Sequence, residues 1–464
     1  MADQLRHDVL GCFGGHRLLP AGAPAISPRL DTLASMSACL DRHFTPAPLC
    51  VPARSCLMTG RYSHHHGAVI NGWLPGERPF GCVRGGVPFL PGQLQQAGYR
   101  VAHVGVQHVR AEPDFPTRNP GVTFIGPAGL GEHRAALAAR GLSTEDPEPF
   151  RDPVVEFDNG RPVVLRGSNP QVGLFPLVEE HYLDSVIADR LVETIHGHGR
   201  GPLALFGMFW LPHPPLVAPR AWIERYDAGT LNLPANVGKW VSSTPALQLA
   251  NFPGQVGAHV SAEHWRFAWA AYLGMVALLD ACVGRVLAAL DHAGMLEDSL
   301  IVFTSDHGEM LGSRRLFQKM CLYEEAVRVP TIIKPPGSGG GRRTTELTNH
   351  LDLHATLLSA AGVELEPTPG GDGRDLLPLS QGAAHRHASR DATFARYDGN
   401  AGRAWAHRMV RTRSHKLIVN DGDTDELYDL VEDPRESVNL IGRPASATVE
   451  RELRQRLAAW ATVA

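Results

Sequence analysis

Three short apolar runs punctuate the chain: GYRVAHVGV at 98–106, GPLALFGMFW at 201–210 and DSLIVFTSD at 298–306. Each has an apolar core of four to eight residues closed by turn-forming residues, the pattern of a strand buried on both faces. Between the last two, WRFAWAAYLGMVALLDACVGRVLAALDHAG repeats Leu279, Val283, Val286, Leu287 and Leu290 at helical spacing, with Gly294 as a stop. Strands separated by helices predict an α/β fold: a large, mostly parallel central sheet with helices on both faces. After residue 385 the pattern changes. RMVRTRSHKLIVND and DELYDLVEDP alternate as antiparallel strands do, and SATVERELRQRLAAWATV is an amphipathic helix. The expected organisation is a catalytic α/β domain over 1–375 and a small C-terminal α+β subdomain with an antiparallel sheet over 376–464. PPGSGGG (335–341) and PTPGGDG (367–373) predict exposed loops.

Composition narrows the class. Of 464 residues, 43% are hydrophobic and 20% charged, an ordinary globular balance, and a net charge of −4 gives no basic footprint for nucleic acid. The seven cysteines form an odd set without repeated spacing or a C-x-x-C pair, which argues against a disulfide framework or structural zinc and for a reducing compartment. The first residues lack a signal-like apolar core, and no later run is expected to reach membrane-spanning length. The expectation is a soluble, cytoplasmic protein with no membrane partner.

Functional residues of such sheets gather at the carboxyl ends of strands. His213 follows one predicted strand, and Asp306 and His307 follow another. A third feature is PLCVPARSCLMTGRY, residues 47–61. Pro52 suits the first turn of a helix, so Cys50 stands at the amino end of a short helix ended by Gly60. A helix N-terminus favours an anion, and Arg54 adds a planar positive fork. The residues alone leave open a buried structural cysteine or a thiolate nucleophile.

The segment resembles the signature of the type I sulfatases, within the alkaline phosphatase superfamily. DQLRHDVLGCFG, RYSHHHGAVINGW, GYRVAHVGVQH, WLPHPP, TSDHGEMLG and FQKMCLYEEAVRVP resemble further family blocks in the family's order. The resemblance implies that Cys50 is oxidised by a formylglycine-generating enzyme to formylglycine, whose hydrate attacks sulfur. It implies a sulfatase cleaving a small-molecule or saccharide sulfate ester, or a sulfamate, with one divalent metal ion held by Asp3, Gln4, Asp306 and His307. Calcium is the family's usual ion, while the His307 nitrogen suits manganese or zinc. Arg54 is expected to fix the diol, His108 to hydrogen-bond it, Lys319 to grip sulfate and His213 to protonate the departing alkoxide. Asn71 is expected to bind the anion. Adjacent His64, His65 and His66 cannot all face one ion, so the resemblance implies packing and pocket lining for them rather than ligation. Trp73 and Trp240 are expected to cover the core rather than stack on substrate.

Two departures stand out. Val106 occupies the place of a family lysine, which removes a positive charge from the anion site; phosphonate monoester and phosphodiester hydrolases of the superfamily share that lack and are the alternative reading. A non-catalytic binding protein is a second alternative. The other departure is that only Met1 and Ala2 precede Asp3, where the family has a core strand. A start placed too late is the expected reason, because deleting a central strand leaves its neighbours' backbone groups unpaired.

Overall fold

The computed structural model describes every residue except 145, 159, 338–339, 366–369, 383–389, 400–405 and 463–464. Residues 367–369 of the second predicted loop and 338–339 of the first therefore lie outside the described residues. The predicted strands form as Arg100–Gly105, Leu203–Met208 and Ile301–Thr304. Val122–Ile125, Arg100–Gly105 and Leu203–Met208 pair in parallel. Ile301–Thr304, Thr331–Lys334, Ala38–Phe44 and Arg342–Asn349 pair in that order, with Thr331–Lys334 antiparallel to both neighbours. The two halves are joined by the first residues of the chain. Met1 N donates to Gly207 O at 2.7 Å, and Ala2 N donates to Thr304 O at 2.8 Å.

The predicted long helix runs from Ala262 to His292, with Ser261 Oγ accepting from His264 N at its start. Contrary to expectation, this helix is long and apolar enough to cross a bilayer by length and composition. Its apolarity serves the core instead: Trp265, Trp269, Leu273, Val276 and Leu279 are buried, and it packs on the Leu183–His196 helix. Near its middle, Asp280 accepts from Arg29 N and Leu30 N, stopping the orphan amides at the start of the Pro28–Ser35 helix.

In the C-terminal region, strands Thr393–Tyr397, His407–Arg411, His415–Asn420 and Glu426–Asp429 form the antiparallel sheet, covered by the Ala447–Thr462 helix. One face packs Ala395, Met409 and Ile418 against Phe44, Met310 and Leu316. The other meets Leu453, Leu457 and Trp460. Alternation along each strand thus feeds two different cores. Buried Lys416, between Glu324 at 2.9 Å and Glu436 at 2.7 Å, ties the sheet to the segment that follows Lys319. A long hairpin, Arg151–Asp158 with Arg161–Ser168, fills a region where no pattern predicted strands. Trp73 and Trp240 do not cover the core: they are 45% and 51% exposed, and the Arg315 guanidinium lies over the Trp240 ring at 5.0 Å.

Candidate active site

Cys50 opens a helix, Cys50–Thr59, that is buried along its whole length. Gly60 ends it in the left-handed region (φ 67°), donating N–H to Cys56 O, and a Cβ there would lie 2.6 Å from His354. The other end is held by Asn71, whose Oδ1 accepts from Val51 N at 3.0 Å. Asn71 therefore meets the amino end of the nucleophile helix, one residue beyond Cys50.

Asp3 and Asp306 stand where the joined strands end, and Arg54, one turn along the helix, binds both. Its Nη2 donates to Asp3 Oδ2 at 2.8 Å and its Nε to Asp306 Oδ2 at 2.9 Å; Nη1 reaches Val106 O at 3.3 Å. All three side chains are buried. Burial disfavours the Arg54 charge, but Asp306 and Asp3 outweigh it and keep the guanidinium protonated. Cys50 Sγ lies 3.2 Å from His307 Nε2 and 3.9 Å from Asp3 Oδ1. Burial, then the Asp3 carboxylate, push the Cys50 thiol far above the usual thiol range, so the unmodified side chain is a neutral thiol rather than a thiolate.

Asp3, Cys50, Asp306 and His307 each offer one atom, and the four atoms lie within 4.8 Å of one another. The donor chemistry fits a divalent cation. Two buried carboxylates face a single guanidinium, and His307 Nδ1, 3.1 Å from Gly308 O, is placed to carry its hydrogen there, leaving Nε2 as a lone-pair donor inward. Gln4 adopts a left-handed backbone (φ 64°), and its N–H donates to Asp306 Oδ1 at 3.0 Å. Its side chain turns to a different pair: Nε2 donates to Glu309, and Oε1 accepts from Lys319.

On the opposite wall, Lys319 Nζ lies 3.0 Å from His213 Nε2. His108 Nδ1 is 3.4 Å from Asp3 Oδ2. Trp210 stands between the two histidines, with ring centroids 4.4 Å from His213 and 6.0 Å from His108. Thus Cys50, Arg54, Asp3, Gln4, His108, His213, Asp306, His307 and Lys319 all converge, although they span 316 positions from Asp3 to Lys319. His64 and His65 pack against each other with tilted rings, Trp460 lies beyond, and His66 Nε2 lies 3.4 Å from Cys56 Sγ, so the three serve as packing away from the metal cluster.

Three supporting groups were not singled out from sequence. Glu309, buried, accepts from Leu311 N and Gln318 N as well as from Gln4, so it fixes the loop that carries Lys319. His350 Nε2 lies 3.0 Å from Asp306 O, and His43 Nε2 lies 3.1 Å from His350 Nδ1, a buried neutral pair behind the carboxylate; burial lowers His350 to about 4. Asp184 Oδ1 accepts from Trp210 N and Leu211 N, orienting the loop before His213. Glu309 closes the motif DHGE and was within reach of the sequence; His43, His350 and Asp184 carry no local signal.

A sequence model of the Sulfatase family matches residues 1–363, and one for the C-terminal region of N-sulphoglucosamine sulphohydrolase matches residues 312–462. The multifunctional alkaline phosphatase superfamily protein PehA of Trinickia caryophylli is 27% identical, covering 94% of this chain and 89% of its own. The choline-sulfatase of Rhizobium meliloti is 27% identical, covering 92% and 81%. The fold is that of the phosphonate monoester hydrolase of Agrobacterium radiobacter, with a TM-score of 0.81 at 23% identity over 99% of this chain and 94% of that one. Fold and strand-end site together define a hydrolase of the alkaline phosphatase superfamily. Within it, the chain belongs to the sulfatase family and is a sulfuric ester hydrolase.

Proposed function

We propose that Cys50 is oxidised to formylglycine by a formylglycine-generating enzyme, and that the chain then hydrolyses a small-molecule or saccharide sulfate ester. The observation that carries this is the position of Cys50 Sγ: at the first turn of a buried helix, inside the cluster of Asp3, Asp306 and His307. That sulfur marks where the aldehyde hydrate oxygens stand after oxidation. The hydrate would supply one hydroxyl to attack sulfur and a second whose deprotonation expels sulfate; a divalent ion held by Asp3, Asp306 and His307 would neutralise the anion's charge, while the Gln4 side chain is engaged by Glu309 and Lys319. Water and the ester RO–SO3⁻ are converted overall to ROH and hydrogen sulfate.

The protein's own groups divide the remaining work. Arg54 holds both carboxylates in place and contributes positive charge beside Cys50. Lys319 is the ammonium nearest His213 and is assigned to the sulfate oxygens, with the His213–Lys319 pair beside the leaving group. His108 and Asn71 line the remaining sides. The choline-sulfatase relative supports a small sulfated molecule as substrate.

A second reading rests on Val106, which is fully buried and contributes a carbonyl to Arg54 where a cation is expected. With one charge fewer, the site suits a phosphonate monoester. Mass spectrometry of the peptide containing Cys50, from protein produced with and without the oxidising enzyme, tests the nucleophile. The expected product is the aldehyde or its hydrate; an unmodified thiol in both preparations overturns the proposal. Rates on an aryl sulfate and an aryl phosphonate then separate the two readings.

A further inference from the structure

The seven cysteines are free thiols, and two of them share one hollow. The hollow, about 410 Å³ and open, is lined by Cys12, Cys39, Asp31 and Arg343 among its walls. Its lining residues are not those of the active site. Cys12 is partly exposed in the Gly11–Phe13 turn, and Cys39 is buried on the strand Ala38–Phe44.

Three separate stretches of chain bring the two sulfurs together. Cys39 lies in register with Arg343 of the parallel neighbour Arg342–Asn349, and residues in register share a face of the sheet. From that face the Arg343 guanidinium clamps two groups: Nη1 donates to Cys12 O at 2.7 Å and Nη2 to Asp41 Oδ1 at 2.6 Å. The same guanidinium lies 5.5 Å from the centre of the Phe13 ring. From the other side Asp31 Oδ1 accepts from Cys12 N at 2.7 Å. That approach needs the preceding glycine, since a Cβ on Gly11 would lie 2.1 Å from Asp31 Oδ2. Cys12 is thus held by its amide and by its carbonyl, and its thiol is in hydrogen-bonding contact with that of Cys39.

We propose that Cys12 and Cys39 are a redox modification site: on exposure to a peroxide they join in a reversible disulfide that staples the Gly11–Phe13 turn to the Ala38–Phe44 strand. The two thiols are not equivalent. The hydrogen bond from Cys12, aided by the Arg343 charge, lowers Cys39 in spite of its burial, whereas the contact with Cys39 and burial raise Cys12. Cys39 is therefore the attacking thiolate. Its sulfur bonds to one oxygen of hydrogen peroxide, the O–O bond breaks, and the hydroxide released is protonated to water, leaving a sulfenic acid. The Cys12 sulfur then displaces that hydroxyl: the S–S bond forms, the S–O bond breaks, and the Cys12 proton leaves with the hydroxyl as a second water. Two thiols and one hydrogen peroxide give one disulfide and two waters. The closed loop runs from residue 12 to residue 39; one stapled segment follows Asp3 and the other leads to Cys50. The bond ties these two segments together without using a residue of the active site.

The test treats the folded protein with increasing hydrogen peroxide, alkylates the remaining thiols and maps the peptides by mass spectrometry. The expected result is one cross-link between the peptides carrying Cys12 and Cys39, two hydrogens lighter than their sum. It should form before any other thiol is oxidised and disappear with dithiothreitol. Oxidised protein should melt about 2–6 °C above reduced protein, because the bond restricts the unfolded chain. Cys12→Ser should lose both the cross-link and this gain while its reduced form melts with the reduced parent. Cys12 and Cys39 recovered alkylated while other thiols are oxidised overturns the proposal. So does Cys39 carried to the sulfinic acid without a cross-link. A cross-link in the parent that leaves the melting temperature unchanged overturns the stapling role; this mapping needs no variant to fold.

Discussion

Lys319 Nζ lies 3.0 Å from His213 Nε2, and His213 Nδ1 lies 2.5 Å from Pro214 O. An ammonium only donates, so Nε2 accepts and Nδ1 carries the ring hydrogen. Burial and then the Lys319 charge pull His213 down to about 3. At neutral pH the His213 ring is therefore neutral, with its Nε2 lone pair facing Lys319 Nζ beside the leaving group. Lys319→Met and His213→Ala are each expected to lower kcat by about 10²–10⁴ on alkyl sulfates. The loss should shrink on nitrophenyl sulfate, whose anion leaves without a proton. A leaving-group series measures this, and an equal loss across the series excludes proton delivery.

Arg54 is the only side chain hydrogen-bonded to both Asp3 and Asp306 among the described residues. Arg54→Met leaves two buried carboxylates facing each other, a change expected to cost about 3–5 kcal/mol. A divalent cation supplies the missing charge, so millimolar calcium or manganese should recover part of the lost melting temperature in the variant. Calorimetry with and without the ion reads both numbers. A variant as stable as the parent in chelator would show that Arg54 does not balance the pair.

Gly60→Ala places a Cβ against His354 and forces a non-glycine residue to φ 67°. The expected cost is about 1–3 kcal/mol, read as a lower urea midpoint with an unchanged slope. Because the strain falls at the end of the helix that opens with Cys50, modified protein should also lose turnover while keeping its metal content.

Burial raises Asp280 to about 6, outweighing the amides of Leu30 and Arg29 that it caps. A folded-state value above the unfolded one means the native protein binds this proton more tightly. The stabilisation is complete below about pH 4 and is lost as pH rises through about 6, by roughly 3 kcal/mol in all. Asp280→Asn keeps an acceptor for the two amides and cannot titrate. Urea unfolding of parent and variant between pH 4.5 and 7.5 should show their stability difference growing with pH in the variant's favour.

Much of the site was legible because its chemistry is local. Cys50, Pro52, Arg54 and Gly60 lie on one short helix, so spacing alone conveys a residue at a helix start, a positive fork one turn later and a stop. Asp306 and His307 directly follow a strand of apolar residues, and Glu309 stood two positions further on without being recognised. The hairpin at 151–168 was missed because its exposed strands alternate weakly and carry charges on both faces. The helix that ends before Gly294 was legible in its apolar spacing, but the bilayer-crossing length of its apolar run was not, because small and charged residues interrupt that run.

The amino-acid order by itself determined which elements form, because apolar periodicity and turn residues act over a few neighbours, and it determined the residue types available at the strand ends. Tertiary structure decided which of those residues meet. Only the folded sheet places Asp3 against Asp306 under one guanidinium, turns Gln4 toward Lys319 and Glu309, and sets His350 behind the carboxylate. Pairing across hundreds of residues depends on burial and hydrogen-bond satisfaction of the whole sheet, and short-range sequence carries neither.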